Sequence, residues 1–406
     1  MKTRRGDAQH PFASSQKSSE SRTVIPGNQK LFAAVAAALI FILPPALRAS
    51  NTPERIDVDS SLQVPDPPDS VEARHSKIEP LPIASYDTDV GVGYGAKCFF
   101  LDQLSSNESF DCTAFNSTKG ERWYRFVFSI PDFELRQGKT YPAAVDLAVD
   151  YDKMIKNSFF GVGNRSEFSS REYYTREPLD VSITVSHGFS PLIVLQEGVR
   201  INSVRNYHFQ DSSAFRYLPP DNSGTASHQS LFVNFRFDTR NSFINPSEGI
   251  VTECDIEKGV HTSFNNSEFT KLTLALQYYS PLFLPATVFA ARFLGEGVFG
   301  NALPVQMLSS IGGNLTVRGS PQDRYLDNLG SVVNAEVRFP LYRRLGGVVG
   351  FDAGKVWNAF SDLDLARWAA NPVTGLRLYM DTFVVRLDIG YGREATGVYF
   401  NFGQLF

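Results

Sequence analysis

From about Val90 to the C-terminus, apolar and polar positions alternate with a period of two. Leu179, Val181, Ile183 and Val185 interleave with Asp180, Ser182, Thr184 and Ser186. Leu272, Leu274, Leu276 and Tyr278 interleave with Lys271, Thr273, Ala275 and Gln277. Phe383, Val385, Leu387, Ile389 and Tyr391 interleave with Val384, Arg386, Asp388 and Gly390. The same pattern covers 143–151, 231–237 and 333–341, and it is muddied over 192–201. Alternation of this kind predicts strands with one buried face. Soluble β proteins alternate too, but their strands average about 5–6 residues. Here the segments run to about ten residues, the length a tilted strand needs to cross a membrane. Charges such as Arg386 and Asp388 on the polar face suit a water-filled lumen.

The connections fit this reading. Short ones are expected at 188–191, 280–285, 342–345 and 381–382, and long polar ones at 101–121, 152–171, 205–227, 300–330 and 357–372. Tight periplasmic turns alternate with long external loops in outer-membrane barrels. Fourteen strands are clear, nine before the 300–330 loop and five after it, with room for two weak ones in 80–88, 152–171 or 205–227. The expectation is an all-β, transmembrane antiparallel barrel of 14–16 strands over residues 80–406.

The N-terminus reads differently. Leu31 to Leu43 is an unbroken apolar run after Lys30, ended by Pro44 and Pro45. It falls short of the roughly 20 residues of a membrane-spanning helix. With Leu47-Arg48-Ala49 behind it, residues 1–49 are expected to be a signal peptide cleaved after Ala49. A retained anchor, or a twin-arginine signal using Arg4-Arg5, are the alternatives. Residues 50–79, rich in Pro, Asp and Ser, read as a disordered periplasmic linker.

Composition narrows the classes. The chain has 33 Phe and 16 Tyr, 20% charged residues and a net charge of −4. A mean hydropathy of −0.18 argues against a bundle of apolar helices. The charge balance lacks the basic footprint of a nucleic-acid binder, so no nucleic-acid partner is expected. Three cysteines make no disulfide framework. Cys98 and Cys254 fall on lipid-facing positions, and Cys112 is placed in a loop without a partner. His187 and His208, near strand ends, read as structural. No nucleophile elbow, metal-spaced His/Cys cluster or phosphate loop is present, so no catalytic residue, metal or cofactor is expected.

The last residues place Val398, Phe400, Phe402, Gln404 and Phe406 on one face, with Gly403 near the end. This resembles the aromatic C-terminal signal by which barrel proteins are recognised for insertion, and Phe400, Phe402, Gly403 and Phe406 are its candidate residues. An edge strand that happens to end in Phe is the plainer alternative.

One stretch carries a family resemblance. Gly312-Gly313-Asn314-Leu315-Thr316-Val317-Arg318-Gly319-Ser320 is followed by Asn334–Leu341 (NAEVRFPL) and Gly350–Trp357 (GFDAGKVW). Phe235–Gly249 (FRFDTRNSFINPSEG) and Asn157–Asn164 (NSFFGVGN) lie upstream. These segments resemble the BamA/TamA superfamily, also called the bacterial surface antigen family, over about 230–406 and more diffusely over 85–230. The resemblance implies a sixteen-strand barrel in the bacterial outer membrane, with a long loop folded into the lumen. It also implies a role in inserting or exporting other proteins. The implied partners are outer-membrane lipid, an unfolded barrel or secreted protein, and a separate periplasmic accessory protein. The chain departs from the pattern at Ser320, where the family usually has Phe or Tyr, and residues 51–79 leave no room for the family's periplasmic repeats. Alternation places Glu336 and Asp352 on the lumen face of adjacent strands. On the residues alone, Arg318, Glu336 and Asp352 are solvated lumen charges. With the resemblance they become a latch, in which Val317-Arg318-Gly319 sits inside the barrel and Arg318 meets both carboxylates. A passive or structural pore is the alternative function, and an outer-membrane hydrolase a third.

Overall fold

The computed structural model describes residues 76–406 except 212, 219–223, 264–267 and 381–382. The expected signal peptide, the linker up to residue 75 and the 381–382 turn lie outside the described residues.

Among the described residues eighteen strands follow one another. The first eleven are β1 (Lys77–Asp87), β2 (Gly91–Leu101), β3 (Ser109–Ser117), β4 (Arg122–Ile130), β5 (Tyr141–Phe159), β6 (Glu172–Ser190), β7 (Ile193–Tyr207), β8 (Gly224–Asp238), β9 (Gly249–Thr262), β10 (Phe269–Pro281) and β11 (Val288–Gly300). Two short strands, β12 (Ser309–Ile311) and β13 (Tyr325–Asp327), pair only with each other. The last five are β14 (Leu329–Tyr342), β15 (Leu345–Trp357), β16 (Ala369–Tyr379), β17 (Val384–Tyr391) and β18 (Thr396–Phe402). All but β12 and β13 form one closed antiparallel barrel of sixteen strands, in which β18 meets β1. Closure pairs the backbone groups along the barrel wall, as a hydrocarbon layer demands, except over the part of the β1–β18 junction where β1 lacks a facing strand. An even strand number brings the start of β1 and the end of β18 to the same rim.

Alternation sorts the side chains as expected. Leu231, Val233 and Phe235 of β8 are exposed on the outer wall, as are Val349 and Phe351 of β15. Ser230, Glu257, Asn334, Arg338 and Asp352, of opposite parity, are buried inside. On the β7–β10 side the lumen keeps a polar cavity of about 290 Å3, lined by Arg200, Glu253, Asp255, Glu257 and Lys271 among others.

Two strands go beyond the fourteen read from the pattern. β1 occupies one of the three stretches where a weak strand had room, and it begins at Lys77, inside the span assigned to the linker. β3 lies within 101–121, which the pattern marks as a loop. Cys112 is therefore a strand residue, directly opposite Cys98 of β2. Both thiols are free, as is that of Cys254. Several strands also outrun the ten-residue segments of the pattern, with β5 and β6 reaching 19 residues each. The residues beyond the wall pack over the barrel mouth. Phe159 and Tyr174 join Phe215, Val305 and Leu326 in one apolar cluster there.

Candidate functional site

The connection between β11 and β14 turns into the barrel. Its neck is the β12–β13 hairpin, with Ser309 opposite Asp327 and Ile311 opposite Tyr325. Gly312 (φ 128°), Gly313 (φ 81°) and Gly319 (φ 90°) supply the left-handed turns of the tip. Ile311 and Val317 pack on Val332 of β14 and Val356 of β15. The tip is thus seated on an apolar patch of the lumen wall before its charged group is considered.

Arg318 is fully buried, as are Asp352 and Asp388, with Glu336 nearly so. Its Nε and Nη2 donate to the two carboxylate oxygens of Asp352 at 2.7 and 2.9 Å, and its backbone N–H donates to the same group at 3.0 Å. Nη1 donates to Asp388 Oδ2 at 2.7 Å and lies 2.7 Å from Glu336 Oε1. A planar fork of donors suits this arrangement, which a lysine's point charge would not fill. Strand register builds the socket. Asn334, Asp352 and Asn371 lie side by side across β14, β15 and β16. Asn334 Nδ2 donates to Asp352 Oδ1 and to the Thr316 carbonyl, both at 2.7 Å. Asn371 Nδ2 donates to the Arg318 carbonyl at 2.9 Å and to Ser320 Oγ at 3.1 Å. Ser320 therefore serves as a buried acceptor where an aromatic ring is usual in the resembling family. A Cβ on Gly390 of β17 would sit 2.3 Å from the Arg318 carbonyl carbon, so the loop backbone lies directly on that strand.

A second tier of charge surrounds the first. Arg338 Nε donates to Glu336 at 2.9 Å, and Arg377 Nη1 donates to Asp388 at 2.5 Å. The sequence pattern marks Asp388 only as one lumen charge among many, and it does not mark Arg377 or Arg338. Nothing in a period of two shows which lumen charges stand at the same height. Arg324, also buried, reaches Glu394 in the β17–β18 turn through two hydrogen bonds of 2.5 and 2.7 Å, and its Nη1 donates to Ser166 Oγ at 2.8 Å. Among the described residues no group of three or more His, Cys, Asp or Glu could hold a metal ion.

The aromatic C-terminus behaves in two ways. Phe400 and Phe402 stand on the outer wall with ring centroids 6.2 Å apart. The alternation then stops, because Gly403 takes φ 83° and its N–H closes on the Val384 carbonyl at 2.7 Å. Phe406 does not continue the outer face expected for it. It turns into the lumen and packs with Leu405, Val251, Tyr279 and Ala290. Its ring lies under Arg338, 5.1 Å to the centroid, and its backbone oxygen accepts from Arg338 Nη2 at 3.0 Å.

The seam between β1 and β18 is the narrowest junction in the wall. β1 pairs with β2 along its whole length, from Lys77 opposite Leu101 to Asp87 opposite Gly91. Against β18 it pairs only through Tyr86 opposite Phe400 and Asp87 opposite Tyr399. Thr88 adds a backbone bond to the Val398 carbonyl at 3.2 Å, and its hydroxyl accepts from Val398 N at 2.7 Å. The lumen loop touches both sides of this junction. Gly319 N donates to Tyr399 Oη and Gln322 N to Asp89 Oδ2, each at 3.1 Å.

A sixteen-strand barrel with an inward loop and a short closing seam is the architecture of a bacterial outer-membrane protein. The chain belongs to the Omp85 superfamily, whose domain matches residues 104–406. The fold is shared with BamA from Haemophilus ducreyi lacking POTRA domains 1–3, at a TM-score of 0.60 and 13% identity over 81% of this chain and 70% of that one. It is also shared with CdiB from Acinetobacter baumannii (TM-score 0.53, 15% identity, 82% of this chain and 60% of that one). CdiB from Escherichia coli is similar as well (TM-score 0.54, 13% identity, 82% and 68%). No curated protein matches the chain.

Proposed function

We propose that this barrel aids the insertion or export of other proteins at the outer membrane by opening between β1 and β18, served by a separate periplasmic partner. It acts by binding and guiding chains, without an enzymatic step. The observation that carries this reading is the seam. Two facing pairs and the Thr88 bonds hold it, while among the described residues no strand faces 77–85 of β1 on that side. An open strand edge offers backbone donors and acceptors to an incoming strand. Family membership and the shared fold support this reading.

The test is a reversible lock. Tyr86 and Phe400 face each other, and Cα atoms so paired lie about 5.5 Å apart, within disulfide range. With Cys98, Cys112 and Cys254 changed to Ala, Tyr86→Cys with Phe400→Cys should close the seam under oxidising conditions. In cells depleted of the native protein, the oxidised form should fail to maintain other barrel or exported proteins in the outer membrane, and reductant should restore them. Full function of the locked form would favour a second reading, a passive pore, for which the charged lumen cavity beside β7–β10 speaks. Conductance in planar bilayers would then follow the lumen and ignore the seam.

A further inference from the structure

The unpaired edge of β1 is not uniform. In an antiparallel strand, successive residues aim their N–H and C=O groups to opposite sides. Thr88 N donates to Val398 of β18, so the even-numbered residues of β1 aim at the seam. The neighbouring strands agree. Thr118 N bonds the Val92 carbonyl, which turns the even residues of β2 toward β3 and leaves its odd residues for β1, and the register joins odd to odd. Gly403 N bonds Val384 of β17, which leaves the even residues of β18 facing β1. Below Tyr86, the seam-facing positions of β1 are therefore Ala84, Pro82, Pro80 and Ile78. Two of these four have no N–H to give. Proline is tolerated there because β2 never uses those positions; within a fully paired strand it would cost a ladder hydrogen bond.

We propose that Pro80 and Pro82 set the lower limit of strand addition at the seam: an extended segment of an incoming barrel or exported protein pairs with β1 at Ala84 and above, and stops at Pro82. This rests on the seam reading under Proposed function and refines it. Opposite Pro82 and Pro80, an incoming strand would find acceptors for its N–H groups but no donors for its carbonyls. Carbonyls left bare in a hydrocarbon layer oppose binding. The register with the incoming chain is thereby kept short, which favours release over permanent incorporation. The same prolines guard the edge against a second copy of this chain.

Photocrosslinking tests the proposal in the full-length protein in cells that synthesise a radiolabelled outer-membrane barrel protein as probe. A photoreactive residue is placed at Ile78 or at Ala84, both exposed on the outer face. The probe should be captured from position 84 and not from 78. Pro80→Ala with Pro82→Ala should extend capture to Ile78 and prolong it, by on the order of fivefold per restored hydrogen bond. With the photoreactive residue moved to Tyr86, Ala84→Pro should shorten the usable edge and reduce capture; it leaves the β2 ladder intact because residue 84 does not bond that strand. Equal capture at Ile78 and Ala84 in the unaltered protein, unchanged by the proline replacements, would overturn the proposal while leaving the seam reading in place. Absence of capture at every position in every variant would remove the seam reading, and the proposal with it.

Discussion

Arg318 illustrates how burial decides what a charge is worth. An exposed ion pair contributes about 0–1 kcal/mol. Arg318 is fully buried against Asp352, Asp388 and Glu336; without it Glu336 keeps Arg338 and Asp388 keeps Arg377, but Asp352 loses its ion-pair partner away from water, a loss of about 3–5 kcal/mol for a buried pair. Arg318→Ala should therefore free the 301–328 loop, which limited proteolysis of intact cells would show as new cleavage there, and it should lower the melting temperature of the barrel in detergent. Unchanged protection would mean that the apolar seat of Ile311 and Val317 suffices to hold the tip. Arg318→Lys should behave more like the alanine variant than the native protein, since one ammonium cannot reach both oxygens of Asp352 and also Asp388. Exchanging charges, Arg318→Glu with Asp352→Arg, should not restore protection. A glutamate at 318 would still face Glu336 and Asp388, and the bond from the Arg318 backbone N–H to Asp352 would be lost. Recovery by the exchange would show that Asp352 alone sets the interaction.

At the scale of the element, the last strand separates two roles that a single aromatic pattern merges. Phe400 and Phe402 lie on the outer wall, whereas Phe406 is enclosed by Val251, Tyr279, Ala290 and Arg338. Phe402→Asp should therefore block membrane assembly, seen as loss of the heat-modifiable folded band. Phe406→Ala should yield a folded barrel that is less stable by about 3–5 kcal/mol, the usual cost of emptying a buried phenylalanine site. If Phe406→Ala abolished assembly while leaving any folded remainder fully stable, the recognition role would extend to the last residue. This difference shows where the sequence could and could not be read. Period-two alternation finds long strands with Leu, Ile and Val on the outer face, such as β6 and β10. It leaves β1 as no more than a weak candidate because Pro80 and Pro82 interrupt the pattern. It overlooks β3 because Phe115 stands on the lumen side and Asn116 on the lipid side, flanked by polar turns. It places Glu336 and Asp352 on the lumen face correctly, because parity depends on local counting alone. Asp388 and Arg377 depend on register across three strands and on how far the loop reaches, which local counting does not encode. Gly403 gives no warning in sequence that its left-handed conformation will turn the tail inward.

For the molecule as a whole, the loop and the seam belong to one mechanical unit. The wall at β1–β18 is held by two facing pairs and the Thr88 bonds, but the lumen loop reaches across it from inside. On the β1 side Gln322 N bonds Asp89, and on the β18 side Gly319 N bonds Tyr399 while Arg324 holds Glu394. Seam opening must therefore either carry the loop with one edge or break its bonds to the other. Arg324 is the stronger tether, because its guanidinium is buried and bonds both oxygens of Glu394, whereas the Asp89 contact is a single hydrogen bond. The loop is accordingly expected to travel with β17 and β18 and to let go of Asp89 first. Disulfide trapping can decide this. In a background where Cys98, Cys112 and Cys254 are Ala, the Tyr86→Cys, Phe400→Cys pair reports how often the seam is closed. Asp89→Ala should slow disulfide formation modestly and leave loop proteolysis unchanged, because the loop keeps its hold on β18. Arg324→Ala should slow trapping more and also expose the loop, because the seam then loses its inner brace on the side that carries Arg318's partner Asp388. Equal trapping rates in all three proteins would show that the Tyr86–Phe400 and Asp87–Tyr399 pairs close the wall unaided, and that the loop only fills the lumen.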